Sequence, residues 1–204
     1  MVEWLQILGI AAFAVSGVEA SRAKRPDWVG AGILAFVTAL GGGVIRDAIL
    51  GRPAQSFAND LHLTVIAGAT VLALWQPGAV RRLLPSLRVA DAFGLGLFNA
   101  TGIAIALESA AVSAGFAIVL GAVTGAGGGI LRDVLCGEMP ALLRPGEIYI
   151  TACLAGGVTG LVVRALGGSL DAMALTAAVV TIGVRLLAIR FGWRLGAVPG
   201  EPGP

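Results

Sequence analysis

The sequence predicts an all-α integral membrane protein of seven transmembrane helices, arranged as two inverted three-helix repeats plus a seventh helix, with glycine-kinked helices 2 and 5. Three observations predict it. The 204 residues are 57% hydrophobic and 13% charged, with a mean hydropathy of +0.90, against roughly 25% charged in ordinary soluble domains. Lys and Arg gather in alternate connections between the apolar runs. One stretch carrying three glycines and two charges, ALGGGVIRDAILG at 39–51, occurs again as GAGGGILRDVLCG at 125–137.

A crossing helix needs about 20 mostly apolar residues, and seven stretches approach that length: 3–20, 28–50, 61–76, 89–108, 113–136, 147–166 and 170–191. The first has no positive n-region and is followed by Arg22, Lys24 and Arg25, so it reads as a retained span rather than a cleaved signal. Basic residues in short loops stay on the cytoplasmic side. Arg22, Lys24 and Arg25 follow span 1, Arg81, Arg82 and Arg88 follow span 3, and Arg190 and Arg194 follow span 7. The alternate connections are poorer: Arg52 with Asp60, Glu108 alone, and Arg164 with Asp171. Arg144, offset by Glu138 and Glu147, agrees weakly. This alternation predicts a multi-pass cell (inner) membrane protein with its N-terminus outside and its C-terminus in the cytoplasm. The final GAVPGEPGP lacks apolar periodicity and reads as disordered.

A shift of 86 residues lays Leu34–Gly51 over Leu120–Gly137, and nine of the eighteen positions are identical: Leu34, Val37, Thr38, Gly41, Gly42, Gly43, Arg46, Asp47 and Gly51. Weaker similarity extends outward, FAVSG (13–17) to FNATG (98–102) and TVIAG (64–68) to TACLAG (151–156). Each copy holds three spans, so the second enters the membrane from the opposite side, and the copies are related by a pseudo-two-fold axis in the membrane plane. The units are 1–88, the inverted 89–168, the seventh helix at 169–194 and the tail at 195–204.

With span 2 centred near residue 39, Arg46 lies about 10 Å from the midplane at 1.5 Å per residue, inside a hydrocarbon half-thickness of about 15 Å. The same holds for Arg132 and Asp133. Such charges belong against protein or water, not lipid. Gly41, Gly42 and Gly43, like Gly127, Gly128 and Gly129, each cost about 1 kcal/mol relative to Ala in a helix and permit a kink or break. Bared carbonyls at that depth are tolerated where they line a wet cavity and suit a partly dehydrated cation. The competing reading is close helix packing through small-xxx-small ridges such as Ala35-Ala39-Gly43 and Gly121-Gly125-Gly129. Arg46 and Asp47, adjacent in sequence, do not face each other on an ideal helix; cross-pairing of Arg46 with Asp133 and Arg132 with Asp47 fits the inverted symmetry, and snorkelling of the arginines is the alternative.

Ser16, Thr38, Asn99, Thr101 and Thr124 are further polar groups within spans and candidate members of an ion pathway, although Ser and Thr in helices also bond back to their own backbone. Glu19 reads equally as a carboxylate at a cytoplasmic mouth or as an interfacial partner of Arg22. His62 opens span 3 and is expected at the interface with no partners for a metal. Cys136 and Cys153 are expected to be packed thiols. No nucleophile with a base, phosphate loop or zinc spacing is evident, so neither an enzyme nor a resident cofactor is expected, and a net charge of +2 gives no basic stripe for nucleic acid.

The doubled GGG-x-x-RD, the seven-span count and DAFGLGLFNATGIAIAL (91–107) resemble the trimeric intracellular cation channel family, in its prokaryotic branch, part of which is also described as glycine transporters. The resemblance covers nearly the whole chain apart from the tail. It implies a homotrimer in membrane lipid, each protomer with its own pore formed by kinked spans 2 and 5 with spans 1 and 4, conducting potassium and other monovalent cations. Arg46, Asp47, Arg132 and Asp133 would then stand near the constriction. One departure is Ile105, where many relatives carry a Lys; the Lys-Glu pair that animal members use for lipid is not evident either, so no lipid regulation is carried over, although a bound lipid suits the setting. A secondary transporter for glycine or another small solute is the second reading, since transporters use the same inverted, interrupted helices.

Overall fold

The computed structural model describes residues 1–109 and 112–196, and within them eight α-helices. In order they are α1 (Val2–Ser21), α2 (Trp28–Ile49), α3 (Asp60–Trp75), α4 (Pro77–Leu83), α5 (Leu87–Leu107), α6 (Ala114–Leu135), α7 (Ile150–Ala165) and α8 (Leu170–Phe191). Side-chain caps fix several starts: Asp27 accepts from Gly30 N at 2.7 Å, Ser86 from Val89 N, Ser113 from Phe116 N and Ser169 from Ala172 N. Each cap satisfies an otherwise orphan N–H. Gly51 and Gly137, the last identity of the repeat, follow α2 and α6 with φ of 65° and 66°, a left-handed stop that glycine adopts without a Cβ penalty.

A helix occupies each of the seven expected spans, and five of them, α1, α2, α5, α6 and α8, are long and apolar enough to cross a membrane. The chain is a multi-pass, all-helical membrane protein. α3 and α7 have only 16 residues each. α3 is followed by an unexpected helix, α4, turned by 109°, because Pro77 offers no N–H to continue α3 and instead suits the first turn of a new helix. α7 begins three residues later than expected because 147–149 form a turn, with Glu147 N donating to Arg144 O and Tyr149 N to Glu147 O.

α5 is the most enclosed helix, 89% of its apolar window being buried, and packs against α1, α6 and α8. Around it sit three apolar clusters: Ile10, Phe13, Val18 and Leu40 on the α1–α3 side, Leu97, Ile103, Leu120 and Met173 between α5, α6 and α8, and Leu95, Ala126, Tyr149 and Cys153 toward α7. The contacts at the centre are reciprocal. Phe13 and Phe98, equivalent in the repeat, stack at 5.4 Å; a Cβ on Gly9 would meet the Phe98 ring, and one on Gly94 would meet the Phe13 ring.

The glycine triplets differ from expectation. α2 and α6 run unbroken through Gly41–Gly43 and Gly127–Gly129, so neither helix breaks there or leaves a half-helix end. A Cβ on Gly42 would overlap the carbonyl oxygen of Thr124, and one on Gly128 that of Thr38. The middle glycines let the two helices cross backbone to backbone, the small-residue packing available to membrane helices. Of the expected tail, Leu195 is held by its N–H on Gly146 O at 3.0 Å, while 197–204 lie outside the described residues.

Candidate functional site: two buried Arg–Asp pairs

Past the glycine crossing, α2 and α6 each end in a buried ion pair. Arg46 Nε donates to Oδ1 of its neighbour Asp47 at 2.9 Å, and Arg132 Nε donates to Asp133 Oδ1 at 2.8 Å. All four residues are less than 5% exposed. The cross-pairs Arg46–Asp133 and Arg132–Asp47 do not form, and neither arginine snorkels. An arginine stem is long enough to fold back across the 100° between adjacent helical positions, and the last turn leaves room for it. Both carboxylates also receive a backbone N–H at 3.0 Å from the following loop, Gln55 N to Asp47 Oδ2 and Ala141 N to Asp133 Oδ2. Those donors are themselves 86 residues apart.

The two sites differ in what surrounds the guanidinium. Arg132 Nη1 donates to Asp91 at 2.7 Å and to the hydroxyl of Ser16, so it is shared between two carboxylates and α1. Asp91 was not singled out from the sequence; a full charge a few residues inside the fourth apolar run was the available signal. Its counterpart under the FAVSG/FNATG alignment is Gln6. Arg46 has no second carboxylate, and its Nη1 and Nη2 make no hydrogen bond among the described residues, although Nη2 lies 2.8 Å from Asp47 Oδ1. Arg52, partly exposed, caps the same oxygen at 3.1 Å. The third glycine of each triplet makes room for polar groups: a Cβ at Gly43 would lie 2.8 Å from Ser56 Oγ, and one at Gly129 would lie 2.9 Å from Tyr149 Oη and 3.0 Å from Asp91 Oδ1.

The other expected polar residues divide. Thr38 and Thr124 donate to the Leu34 and Leu120 carbonyls at 2.6 Å, and Thr101 to that of Phe98, so all three hydroxyl protons are used within their own helices. Asn99 ties α5 to α7 and α8 through Cys153 O and Thr181 Oγ1. Glu19 forms ion pairs with Arg22 at 3.0 Å and Arg81 at 2.9 Å. His62 is buried, its Nδ1 3.3 Å from Ser56 O, because the loop after α2 folds over it. Cys136 and Cys153 are free and buried.

A hollow lies near the end of each of the two helices. Beyond the α2 end is a cavity of about 410 Å³ lined by Glu3, Gln6, Gln55, His62, Ile105 and Glu108. At the α6 end Asp91, Arg132 and Asp133 face a narrow cleft with Arg88, Arg144 and Glu147. There Arg185 of α8, charged within an apolar run and not anticipated, donates to Glu147 Oε2 at 2.6 Å and Ile148 O at 3.0 Å. Burial opposes ionisation of Glu147, but Arg185, Arg88 and Arg144 outweigh it and hold its carboxyl below the ordinary range.

The chain is similar to known membrane proteins over nearly its whole length. The UPF0126 inner membrane protein YadS of Escherichia coli K12 is 39% identical over 96% of this chain and 95% of its own. The TRIC trimeric intracellular cation channel orthologue from Rhodobacter sphaeroides superposes with a TM-score of 0.85 at 33% identity, covering 94% of this chain and 98% of that one. A second structure, described under conductance through TRIC cation channels, gives 0.82 at 30% identity over 98% of both chains. The fold is that of the TRIC channels. With the sequence model of the glycine transporter family also matching residues 3–77 and 88–165, the chain belongs to that family, the UPF0126 membrane proteins.

Proposed function

We propose that the chain is a passive channel for monovalent cations, potassium among them, with one conduction path inside each protomer of a homotrimer. The observation that carries this reading is Arg46: a fully buried guanidinium whose Nη1 has no partner among the described residues calls for water, and water at that depth is what an ion path holds. Two features support it. The 410 Å³ mouth has the carboxylates of Glu3 and Glu108, which concentrate cations, and the cation channels named above share the fold over nearly their full length.

The path runs between α1, α2, α5 and α6 past Ser16, Thr38, Thr101 and Thr124, with Asn99 behind it bracing α5 against α7 and α8, and passes Arg46–Asp47 at one end and Arg132–Asp133 at the other. The conformation described is shut, since the Phe13–Phe98 stack and the glycine crossing fill the centre. Gly41–Gly43 and Gly127–Gly129 are the points at which α2 and α6 bend on opening, glycine being the residue that resists bending least. The reciprocal contacts support two inverted three-helix repeats, with α3 and α7 as the third span of each and α8 added. The end bearing Arg22, Lys24, Arg81, Arg88, Arg144 and Arg194 is cytoplasmic by charge. No resident cofactor is invoked.

The test is conductance of purified protein in a planar bilayer with K⁺ as the sole cation. Discrete single-channel currents are expected. Electrically silent, saturable glycine uptake into proteoliposomes would instead establish the transporter that the family description names.

A further inference from the structure

Adjoining the cleft at the α6 end, and sharing Arg88, Arg144, Glu147 and Arg185 with it, lies a cavity of about 180 Å³ whose wall carries four guanidinium groups, Arg88, Arg144, Arg185 and Arg194, against one carboxylate, Glu147. It is a constructed site rather than a chance gathering of surface arginines. Residues 144–147 and the chain after α8 are joined by Leu195 N on Gly146 O at 3.0 Å and by a bridge between Glu147 and Arg194. Gly146, at φ 80°, lets Arg194 approach to 3.2 Å of where a Cβ would stand. Arg185 is 2% exposed, anchored by Glu147, Ile148 O and the Tyr149 ring at 5.0 Å. Its Nε is buried and has no partner among the described residues.

The carboxylate does not satisfy this array. Glu147 is engaged by Arg185 at 2.6 Å and stands 3.9 Å from Arg88, and it is the single carboxylate in the lining beside four guanidinium groups. Guanidinium forks match tetrahedral oxyanions, presenting paired N–H donors to paired oxygens. From this we infer that the cavity binds a phosphate or phosphomonoester dianion, free in solution or carried on a lipid headgroup. Arg88, Arg144 and Arg194 form the fork and Arg185 the buried floor. Arg144, at 3.9 Å from Asp133, links this site to the α6 mouth, and an occupying anion lowers the positive potential there. The inference concerns binding and stands apart from whether the chain conducts.

Trp193 lines the cavity and reports on it. The full chain carrying Trp4→Phe, Trp28→Phe and Trp75→Phe, all at lipid- or solvent-exposed positions, is titrated with inorganic phosphate in phospholipid-free detergent at constant ionic strength. A saturable change in Trp193 fluorescence is expected, absent with chloride, weakened at least tenfold by Arg88→Gln with Arg194→Gln, and strengthened by Glu147→Gln. Parallel nanodiscs of phosphatidic acid or phosphatidylcholine separate the sources: a response to phosphate assigns a soluble anion, and a response to phosphatidic acid alone assigns the lipid. No response in either arm, an equal response to chloride, or one unchanged by the double substitution overturns the site.

Discussion

Replacing Gly128 by Ala adds one methyl group where α6 crosses α2, and its consequence can be worked out from the crossing itself. The new Cβ would overlap the Thr38 carbonyl oxygen, whereas ordinary contact begins at 3.4 Å. The obstacle is helix backbone, not a side chain that can swing aside, so the helices must part by about 1 Å. Overpacking of this kind costs about 1–3 kcal/mol, and the upper end applies when backbone has to move. For a chain of this size about 3 kcal/mol corresponds to roughly 6–12 °C in Tm. Gly42→Ala meets Thr124 O in the same way and should match it. The double variant should lose less than the sum, because helices already parted for one methyl accommodate the second. Gly32, with no atom within 4 Å of its would-be Cβ, is the control, and its Ala variant should be neutral or stabilised by up to about 1 kcal/mol. Thermal unfolding in detergent, followed by loss of the monodisperse peak, measures all four. If Gly128→Ala and Gly32→Ala unfold together, the crossing is not held by backbone contact and the reasoning fails.

Asp91→Ala leaves Arg132 with one of its two carboxylates and should destabilise by about 3 kcal/mol or more, as one-sided removal of a buried ionic partner does; Gln6→Ala at the corresponding place should cost less than about 1 kcal/mol, both read by the same unfolding assay. Glu3→Gln with Glu108→Gln should lower K⁺ conductance several-fold at low salt and little at high salt, because charge focusing is screened, as bilayer recordings at two salt concentrations will show. Glu147 has its carboxyl held below the usual value of about 4.5 in the folded chain. Its contribution to stability is therefore complete above that value and falls away as pH drops through the lower, folded-state one; Glu147→Gln should flatten the acid limb of a Tm-versus-pH curve.

Much of this was legible in the sequence because membrane helices announce themselves by length and hydropathy, and because a repeat shows which residues occupy equivalent places. The positions of Arg46, Asp47, Arg132 and Asp133 at the ends of paired helices followed from spacing alone. Their partners did not. An ideal-helix argument separates neighbours by 100° and so excluded the pairs that form, since it takes no account of the reach of an arginine stem at a helix end. The triplets read either as interruptions, because propensity penalises glycine one residue at a time, or as packing ridges; that they bring Thr38 O and Thr124 O against the facing helix is a property of two helices, and neither sequence alone chooses the partner. Asp91, Glu147 and Arg185 were missed because each lies outside the strongest stretch of the repeat, and only the folded chain brings them to one end.

The two short helices have a consequence for the surrounding lipid. At 1.5 Å per residue, the 16 residues of α3 or α7 rise about 24 Å, some 6 Å less than a typical hydrocarbon core of about 30 Å. Leu63 and Leu72 on α3, and Leu154, Val158 and Val162 on α7, are exposed, apolar flanks open to acyl chains or to a second copy of the chain. Where acyl chains cover them, the bilayer must thin to meet them, at a cost of a fraction of a kcal/mol per ångström of mismatch. The chain thus carries an indented belt, deep beside α1, α2, α5, α6 and α8 and shallow beside α3 and α7, and acyl-chain length becomes a variable that sets how comfortably it sits.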